Sequence, residues 1–295
     1  MELERFLADH QLPEGYGHIA QKWFIPLAEE ILTHKEGAST PFFVGVNGCQ
    51  GSGKSTLCDF LKFYLEAQDH QVVVLSLDDF YLSQPARATL AEQVHPLLAT
   101  RGVPGTHDTE LAQQVFTSLQ QGQTVALPRF NKATDNPYPT EQWPVINNRV
   151  DIVLMEGWCW GVPPQDSAAL AEPVNSLEQN EDPDGRWRHY VNDQLASAYQ
   201  PLFDAMQYWV MLKGPSFDHV YQWRCEQEHK LIARLVREGV PDARQQGMTD
   251  AQISRFIQHY QRLTEQGFAH LPQRCHTVFE LDGDRQITGV QKGNV

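Results

Sequence analysis

Gly48-Cys49-Gln50-Gly51-Ser52-Gly53-Lys54-Ser55 spells G-x-x-x-x-G-K-[ST] in full. The apolar run Phe42-Phe43-Val44-Gly45-Val46 precedes it and the helix-like Thr56-Leu57-Cys58-Asp59-Phe60-Leu61 follows, the strand–loop–helix setting a phosphate-binding loop requires. Glycines at 48, 51 and 53 let the backbone curl until successive N–H groups and the positive end of the next helix converge on a phosphate. On this reading the loop from Gly48 through Cys49, Gln50, Gly51, Ser52 and Gly53 to Thr56 cradles a nucleotide. Lys54 then reaches the β- and γ-phosphates of ATP, and Ser55 holds Mg²⁺. An ordinary glycine-rich turn needs neither the Lys-Ser pair nor a strand on one side and a helix on the other.

Outward from the loop, short β-branched runs alternate with longer helical patterns, which predicts an α/β fold: a P-loop NTPase-type parallel sheet with helices on both faces. Strands are expected near Phe42–Val46, Val72–Leu77, Thr124–Leu127, Asp151–Met155, Tyr208–Leu212 and Thr277–Leu281; their brevity and lack of alternation suit burial on both sides. Helical patterns cover Ile19–Thr33, Lys54–Ala67, Asp108–Gln120, Arg188–Ala205, Phe217–Glu238 and Asp250–Gln266. Residues 1–40 read as a helical extension packed beside the core. Gln165–Gly185, with Glu172, Glu178, Glu181, Asp182 and Asp184 among prolines and small polar residues, reads as an acidic surface insertion. No repeat of fixed period and no linker-like tract interrupts the chain, so a single domain with excursions is expected over residues 1–295.

The formal charge of −14 argues against a broad nucleic-acid-binding face, which needs clustered Lys and Arg. A few local cations can still reverse the field inside one cleft and admit a small anion. Met1–His10 resembles neither a signal nor a transit peptide, and no apolar run approaches the roughly 20 residues that cross a bilayer. A soluble, cytoplasmic protein without a membrane partner is expected, of unspecified oligomeric state. Five cysteines without a C-x-x-C pair give neither a disulfide framework nor a zinc spacing. Cys58, Cys159, Cys225 and Cys275 read as small buried hydrophobes. Cys49 is either an inert loop filler or a thiol activated by the loop's positive potential.

Nucleotide binding alone is not a function, so the other motifs decide. A guanine-reading Asn-Lys-x-Asp is absent, because Asn131-Lys132-Ala133-Thr134-Asp135 carries its acid one position late. The second strand ends in Leu77-Asp78-Asp79-Phe80-Tyr81, expected beside the strand of the phosphate loop, at the carboxyl edge where ligands collect. A carboxylate there accepts the proton of a hydroxyl attacking the γ-phosphate; strand alternation allows one of Asp78 and Asp79 to face the cleft. A later apolar run ends in Glu156-Gly157-Trp158, and such an acid commonly coordinates the metal. Between them, Arg101-Gly102-Val103-Pro104-Gly105-Thr106-His107-Asp108 and Leu127-Pro128-Arg129-Phe130-Asn131-Lys132 carry cations and hydrogen-bonding groups suited to an anionic or polyhydroxyl substrate. Thr106 or Asp108 serves equally well as a cap of the following helix. Arg224 is either a lid arginine over the transferring phosphoryl group or the partner of Glu228 in an i, i+4 pair. His95, His107, His219 and His229 show no metal-binding spacing.

The phosphate loop, Asp78-Asp79-Phe80-Tyr81 and Glu156-Gly157 together resemble the superfamily of phosphoribulokinase, uridine kinase and bacterial pantothenate kinase. Within it, Arg101-Gly102-x-x-Gly105-Thr106-His107-Asp108, Pro128-Arg129-Phe130-Asn131-Lys132, Glu156-Gly157-Trp158, Trp223-Arg224-x-x-Gln227-Glu228 and Met248-Thr249-Asp250 are similar to D-glycerate 3-kinases of the plant, fungal and cyanobacterial type. The likeness runs from about Phe42 to Leu281. It implies Asp78 as the catalytic aspartate, Lys54 and Ser55 as nucleotide and metal contacts, and Arg224 in a helical lid over about 213–238; Glu156, as the strand-end acid, is the further expected metal contact. The implied acceptor is a small molecule with a hydroxyl group, and the candidate acceptor contacts are Tyr81, Arg101, His107, Asp108, Arg129 and Lys132. A pantothenate or nucleoside kinase would share every motif but the acceptor loops, and a regulatory protein using ATP as a conformational ligand remains the reading from another class.

Overall fold

The computed structural model describes residues 2–13, 15–38, 41–239 and 247–293; positions 1, 14, 39 and 40 of the expected N-terminal extension lie outside the described residues. Among the described residues ten strands follow in chain order: β1 Phe42–Gly48, β2 Val72–Ser76, β3 Val125–Ala126, β4 Phe130–Asn131, β5 Asn136–Pro137, β6 Val145–Ile146, β7 Ile152–Gly157, β8 Tyr208–Lys213, β9 Thr277–Leu281 and β10 Ile287–Lys292. Six of them form the central sheet in the order β10-β9-β8-β1-β7-β2. All neighbours are parallel except β10, which runs antiparallel to β9. β1 and β7 are buried along their whole length, which is why they read as unbroken apolar runs.

Successive side chains of these strands enter two different cores. Phe43, Val73, Leu75, Val153, Met155, Trp209 and Met211 pack on one face, and Phe42, Val44, Val46, Ile152, Leu154, Tyr208, Val210 and Leu212 on the other. The N-terminal helices α1 Glu2–Asp9, α2 Tyr16–Ile19 and α3 Ile25–Lys35 share the second face with α4 Lys54–Glu66, where Phe6 meets Phe60 edge-on at 5.4 Å. The first face is covered by α6 Thr109–Gln120, α8 Arg186–Ala196 and α9 Gln200–Asp204; α5 Gln84–Gln93 precedes α6, and α7 Ser176–Glu181 precedes α8. Two long helices, α10 Phe217–Arg237 and α11 Asp250–His270, complete the order. A capping box opens α11: the Thr249 side chain accepts from the Gln252 N–H while Gln252 reaches back to the Thr249 N–H.

Several expectations are corrected. Thr124–Leu127 does not join the parallel sheet; only Val125–Ala126 is extended, in a two-stranded antiparallel pair with Val145–Ile146. β2 is not beside β1, because β7 lies between them. The pattern Arg188–Ala205 is two helices, broken where Ser197 leaves helical geometry (φ −122°, ψ −81°), with Pro201 in the first turn of α9. Before α3, residues Ala20–Phe24 wind as a π-helix, ahead of Pro26, whose missing N–H suits a first turn. The acidic segment 165–185 is not a surface excursion throughout: Glu178 and Asp182 are fully buried, paired with Arg262 at 2.6 Å and Arg188 at 2.9 Å.

Candidate active site

Parallel strands bring their carboxyl ends to one edge, and the register places the motifs there side by side. Glu156 pairs with Val46 of β1 and with Ser76 of β2, so one acid sits between the start of the phosphate loop and the turn carrying Asp78. Gly51 (φ 79°) and Gly53 (φ 92°) occupy the left-handed region that side chains disfavour, which turns the loop into the first turn of α4.

Ser55 donates its hydroxyl to Glu156 Oε1 at 3.0 Å, and Lys54 Nζ lies 3.6 Å from Oε2. Burial works against the Lys54 charge, but Glu156 and Asp78 outweigh it and hold the ammonium above its usual range. Glu156 Oε2 is buried without a hydrogen-bond partner among the described residues. An orphaned carboxylate oxygen beside a serine hydroxyl is a donor set suited to a hard cation, so the residues present fit Mg²⁺. Cys49 is buried at 2% exposure, and its thiol is pushed up to about 12 by that burial, with Lys54 pulling weakly the other way. The inert reading of this cysteine therefore wins over the activated one.

Leu77–Phe80 forms a 3₁₀ turn rather than a strand end, and the turn, not strand alternation, separates the two acids. Asp78 accepts from the Tyr81 hydroxyl on Oδ1 at 2.7 Å and from Lys132 Nζ on Oδ2 at 2.6 Å. Burial pushes its carboxyl up, but Lys132, Lys54 and these hydrogen bonds outweigh the burial and hold it down to about 2. Asp79 turns away and accepts from Arg129 Nη1 and the Phe130 N–H, both at 3.2 Å, anchoring the β4–β5 hairpin.

A cavity of about 310 Å³ opens at this edge, lined by Gln50, Lys54, Asp78, Tyr81, Arg101, Lys132, Trp158, Arg224, Gln227, Glu228, Leu231, Phe256 and Tyr260. Its four cations face two carboxylates, on a chain whose formal charge is −14. That local reversal is what an anionic ligand needs. Arg101 is held by Asp135, which also takes the buried Arg87. Arg224 lines the cavity and makes the expected i, i+4 pair with Glu228 at 2.7 Å. A second cavity, about 230 Å³, lies at the opposite edge against Val72, Val73 and Val150 and contains none of the motif residues.

Three expected acceptor contacts fall outside the cavity lining. Arg129 is engaged by Asp79. Asp108 caps α6, accepting from the Leu111 N–H at 2.9 Å. His107 is buried beneath Tyr81, stacked on its ring at 4.7 Å and bonded through Nδ1 to the Tyr199 hydroxyl at 2.6 Å. Burial lowers its pKa to about 3, so it supports Tyr81 as a neutral ring.

Sequence reasoning missed Phe256 and Tyr260 on the cavity wall and Arg285 behind it, and quoted Gln227 in a motif without giving it a role. Arg285 donates to the Gly51 carbonyl at 3.0 Å and to Glu226 at 2.7 Å, with its guanidinium 5.0 Å from the Trp223 ring. It ties the phosphate loop to α10 from a hairpin turn about 230 residues away, which no local pattern signals. The structure also brings His95, Asp182 and Asp184 together, yet Asp182 is saturated by the Trp187 and Arg188 N–H groups and the Arg188 guanidinium.

A phosphate loop at the carboxyl edge of this sheet, with Glu156 at the end of the adjacent β7 and Asp78 in the turn after β2, is the arrangement of a P-loop kinase. Mug58, an uncharacterized kinase of Schizosaccharomyces pombe, is 35% identical over 75% of this chain and 78% of its own length. The chloroplastic D-glycerate 3-kinase of Arabidopsis thaliana is 27% identical over 80% of this chain, which spans about half (51%) of the plant enzyme. The D-glycerate 3-kinase structure from Cryptococcus neoformans superimposes with a TM-score of 0.74 over 93% of this chain and 99% of that one, at 24% identity. No protein-family model matches the chain. The chain belongs to the family of P-loop kinases that includes these D-glycerate 3-kinases, within the superfamily of uridine and pantothenate kinases. Among the described residues no helix is long and apolar enough to cross a membrane.

Proposed function

We propose that this phosphotransferase moves the γ-phosphate of ATP to a hydroxyl of a small hydroxy acid, D-glycerate, giving 3-phosphoglycerate. The observation that carries the reading is the meeting in one cavity of Lys54, the carboxylate of Asp78 and two further cations, Lys132 and Arg101. The backbone from Gly48 to Thr56 and Lys54 would grip the phosphates; Ser55 and Glu156 would hold Mg²⁺, which neutralises charge on the transferring group. Arg224 would close over that group. Asp78 Oδ2 takes the proton of the acceptor hydroxyl as its oxygen attacks the γ-phosphorus, and the bond to the β,γ-bridging oxygen breaks to release ADP. Lys132 or Arg101, rather than the engaged Arg129, would receive the carboxylate. The names of the plant and fungal relatives agree with this choice of acceptor.

ADP release measured over D-glycerate, L-glycerate, pantothenate, uridine and glycerol is expected to be stimulated most by D-glycerate. Stimulation by pantothenate or uridine instead would move the protein to a sister activity. A flat panel, with ATP bound but unused, would favour a regulatory role.

A further inference from the structure

The four cations of the cavity are not held alike. Lys54 is 18% exposed and set against Glu156, Arg224 is 18% exposed against the buried Glu228, and Arg101 shares Asp135 with Arg87. Lys132 sits at 61% exposure on the β4–β5 hairpin, and its ammonium lies on Asp78. The carboxylate it meets has only one oxygen open to the cavity in effect, because Oδ1 is taken by the Tyr81 hydroxyl. Tyr81 cannot rotate aside cheaply: it is buried, stacked on His107 and edge-on to Phe130 at 5.2 Å. Oδ2, the atom that must receive a proton, is therefore the atom Lys132 covers.

We propose that Lys132 is a charge latch: it masks Asp78 Oδ2 until an anionic acceptor draws its ammonium away, so the base is bared only when a carboxylate-bearing substrate is seated. This rests on the kinase reading above and adds to it a reason why water is a poor acceptor. An ion pair with one partner this exposed is weak, so exchanging Asp78 for a substrate carboxylate costs little. A neutral molecule offers no such exchange and meets a covered base. Arg101, held by Asp135 and 5.7 Å from the Phe130 ring, is the second cation the carboxylate would meet. In the productive step the acceptor oxygen bonds to the γ-phosphorus, its proton passes to Oδ2, and ADP leaves with the electrons of the broken P–O bond. With water in that place the same step is ATP hydrolysis, and the latch suppresses it.

The test is hydrolysis of Mg·ATP without any organic acceptor, followed as ADP release in wild type, Lys132→Gln, Lys132→Arg and Lys132→Gln/Asp78→Asn. The latch predicts that Lys132→Gln raises the basal rate about tenfold, toward what an unmasked base supplies. Lys132→Arg, which keeps the charge, raises the basal rate less than Lys132→Gln does, and the double variant falls below Lys132→Gln by at least the gain that Lys132→Gln made. Turnover of glycerol should rise in Lys132→Gln while kcat/KM for D-glycerate falls, so the preference for the acid collapses. An unchanged or lower basal rate in Lys132→Gln, with ATP affinity retained, would overturn the latch and leave Lys132 a plain anchor. If wild type is not stimulated by D-glycerate or any hydroxy acid, the acceptor assignment fails, while the basal rates still decide the latch.

Discussion

Asp78→Asn is expected to lower turnover of the stimulated reaction by about two to four orders of magnitude, the range of a lost general base. ATP affinity should stay within about threefold of wild type by calorimetry. Asparagine keeps the shape of the side chain and an oxygen for the Tyr81 hydroxyl, but it has no lone pair basic enough to take a proton. The binding side is spared because Lys54 still has Glu156 at 3.6 Å. Asp78 is ionised throughout the neutral range, since its carboxyl is held at about 2. Its folded pKa lies below the roughly 3.9 of a free aspartate, so its share of stability is present above pH ~4 and is lost as the pH falls toward 2. The asparagine variant should lack that component of acid destabilisation. Turnover within tenfold of wild type would remove Asp78 from the role of base.

Glu178→Ala is expected to be the most damaging change outside the active site. Glu178 is fully buried and accepts from Arg262 Nε at 2.8 Å and Nη2 at 2.6 Å, and from the Val174 N–H at 3.0 Å. Truncation strands a buried guanidinium, which costs about 3–5 kcal/mol and lowers the melting temperature by about 10 °C. Glu178→Met/Arg262→Leu should recover only part of the loss: it removes the unpaired ion but leaves the Val174 N–H and the Ala169 and Glu172 carbonyls without these partners. No residue of 165–185 lines the cavity, so ATP affinity of the single variant below its melting point should match wild type within about twofold. A melting temperature unchanged within 2 °C, roughly 1 kcal/mol, would contradict this account of the acidic segment.

The parallel core was legible because its signal is local: apolar runs for strands buried on both faces, and a loop whose residue types are demanded by backbone curl and phosphate contact. What the chain concealed depends on partners distant in sequence. Thr124–Leu127 carries a strand-like pattern yet pairs outside the main sheet, since pattern reports pleat and not neighbour. β10 escaped notice because it is an exposed edge, with Val290 at 39% exposure and polar residues around it, and so lacks a buried strand's composition. Glu178 and Asp182 looked like solvated acids, and the arginines of α8 and α11 together with backbone N–H donors make their burial tolerable. In the site, Lys54, Asp78, Tyr81, Arg101, Lys132 and Arg224 were singled out from motif position and do share one cavity. His107, Asp108 and Arg129 come from the same two loop motifs as Arg101 and Lys132, and loop position does not reveal that each of the three already has an internal partner.

The most direct measurement is a crystal structure with a non-hydrolysable ATP analogue, Mg²⁺ and D-glycerate. The account predicts the triphosphate wrapped by Gly48–Thr56 with the metal at Ser55 and Glu156. The acceptor's terminal hydroxyl should lie within hydrogen-bond reach of Asp78 Oδ2, and Lys132 should have moved onto the carboxylate. A triphosphate bound elsewhere, or an acceptor hydroxyl directed at another group with Asp78 still covered, would contradict it.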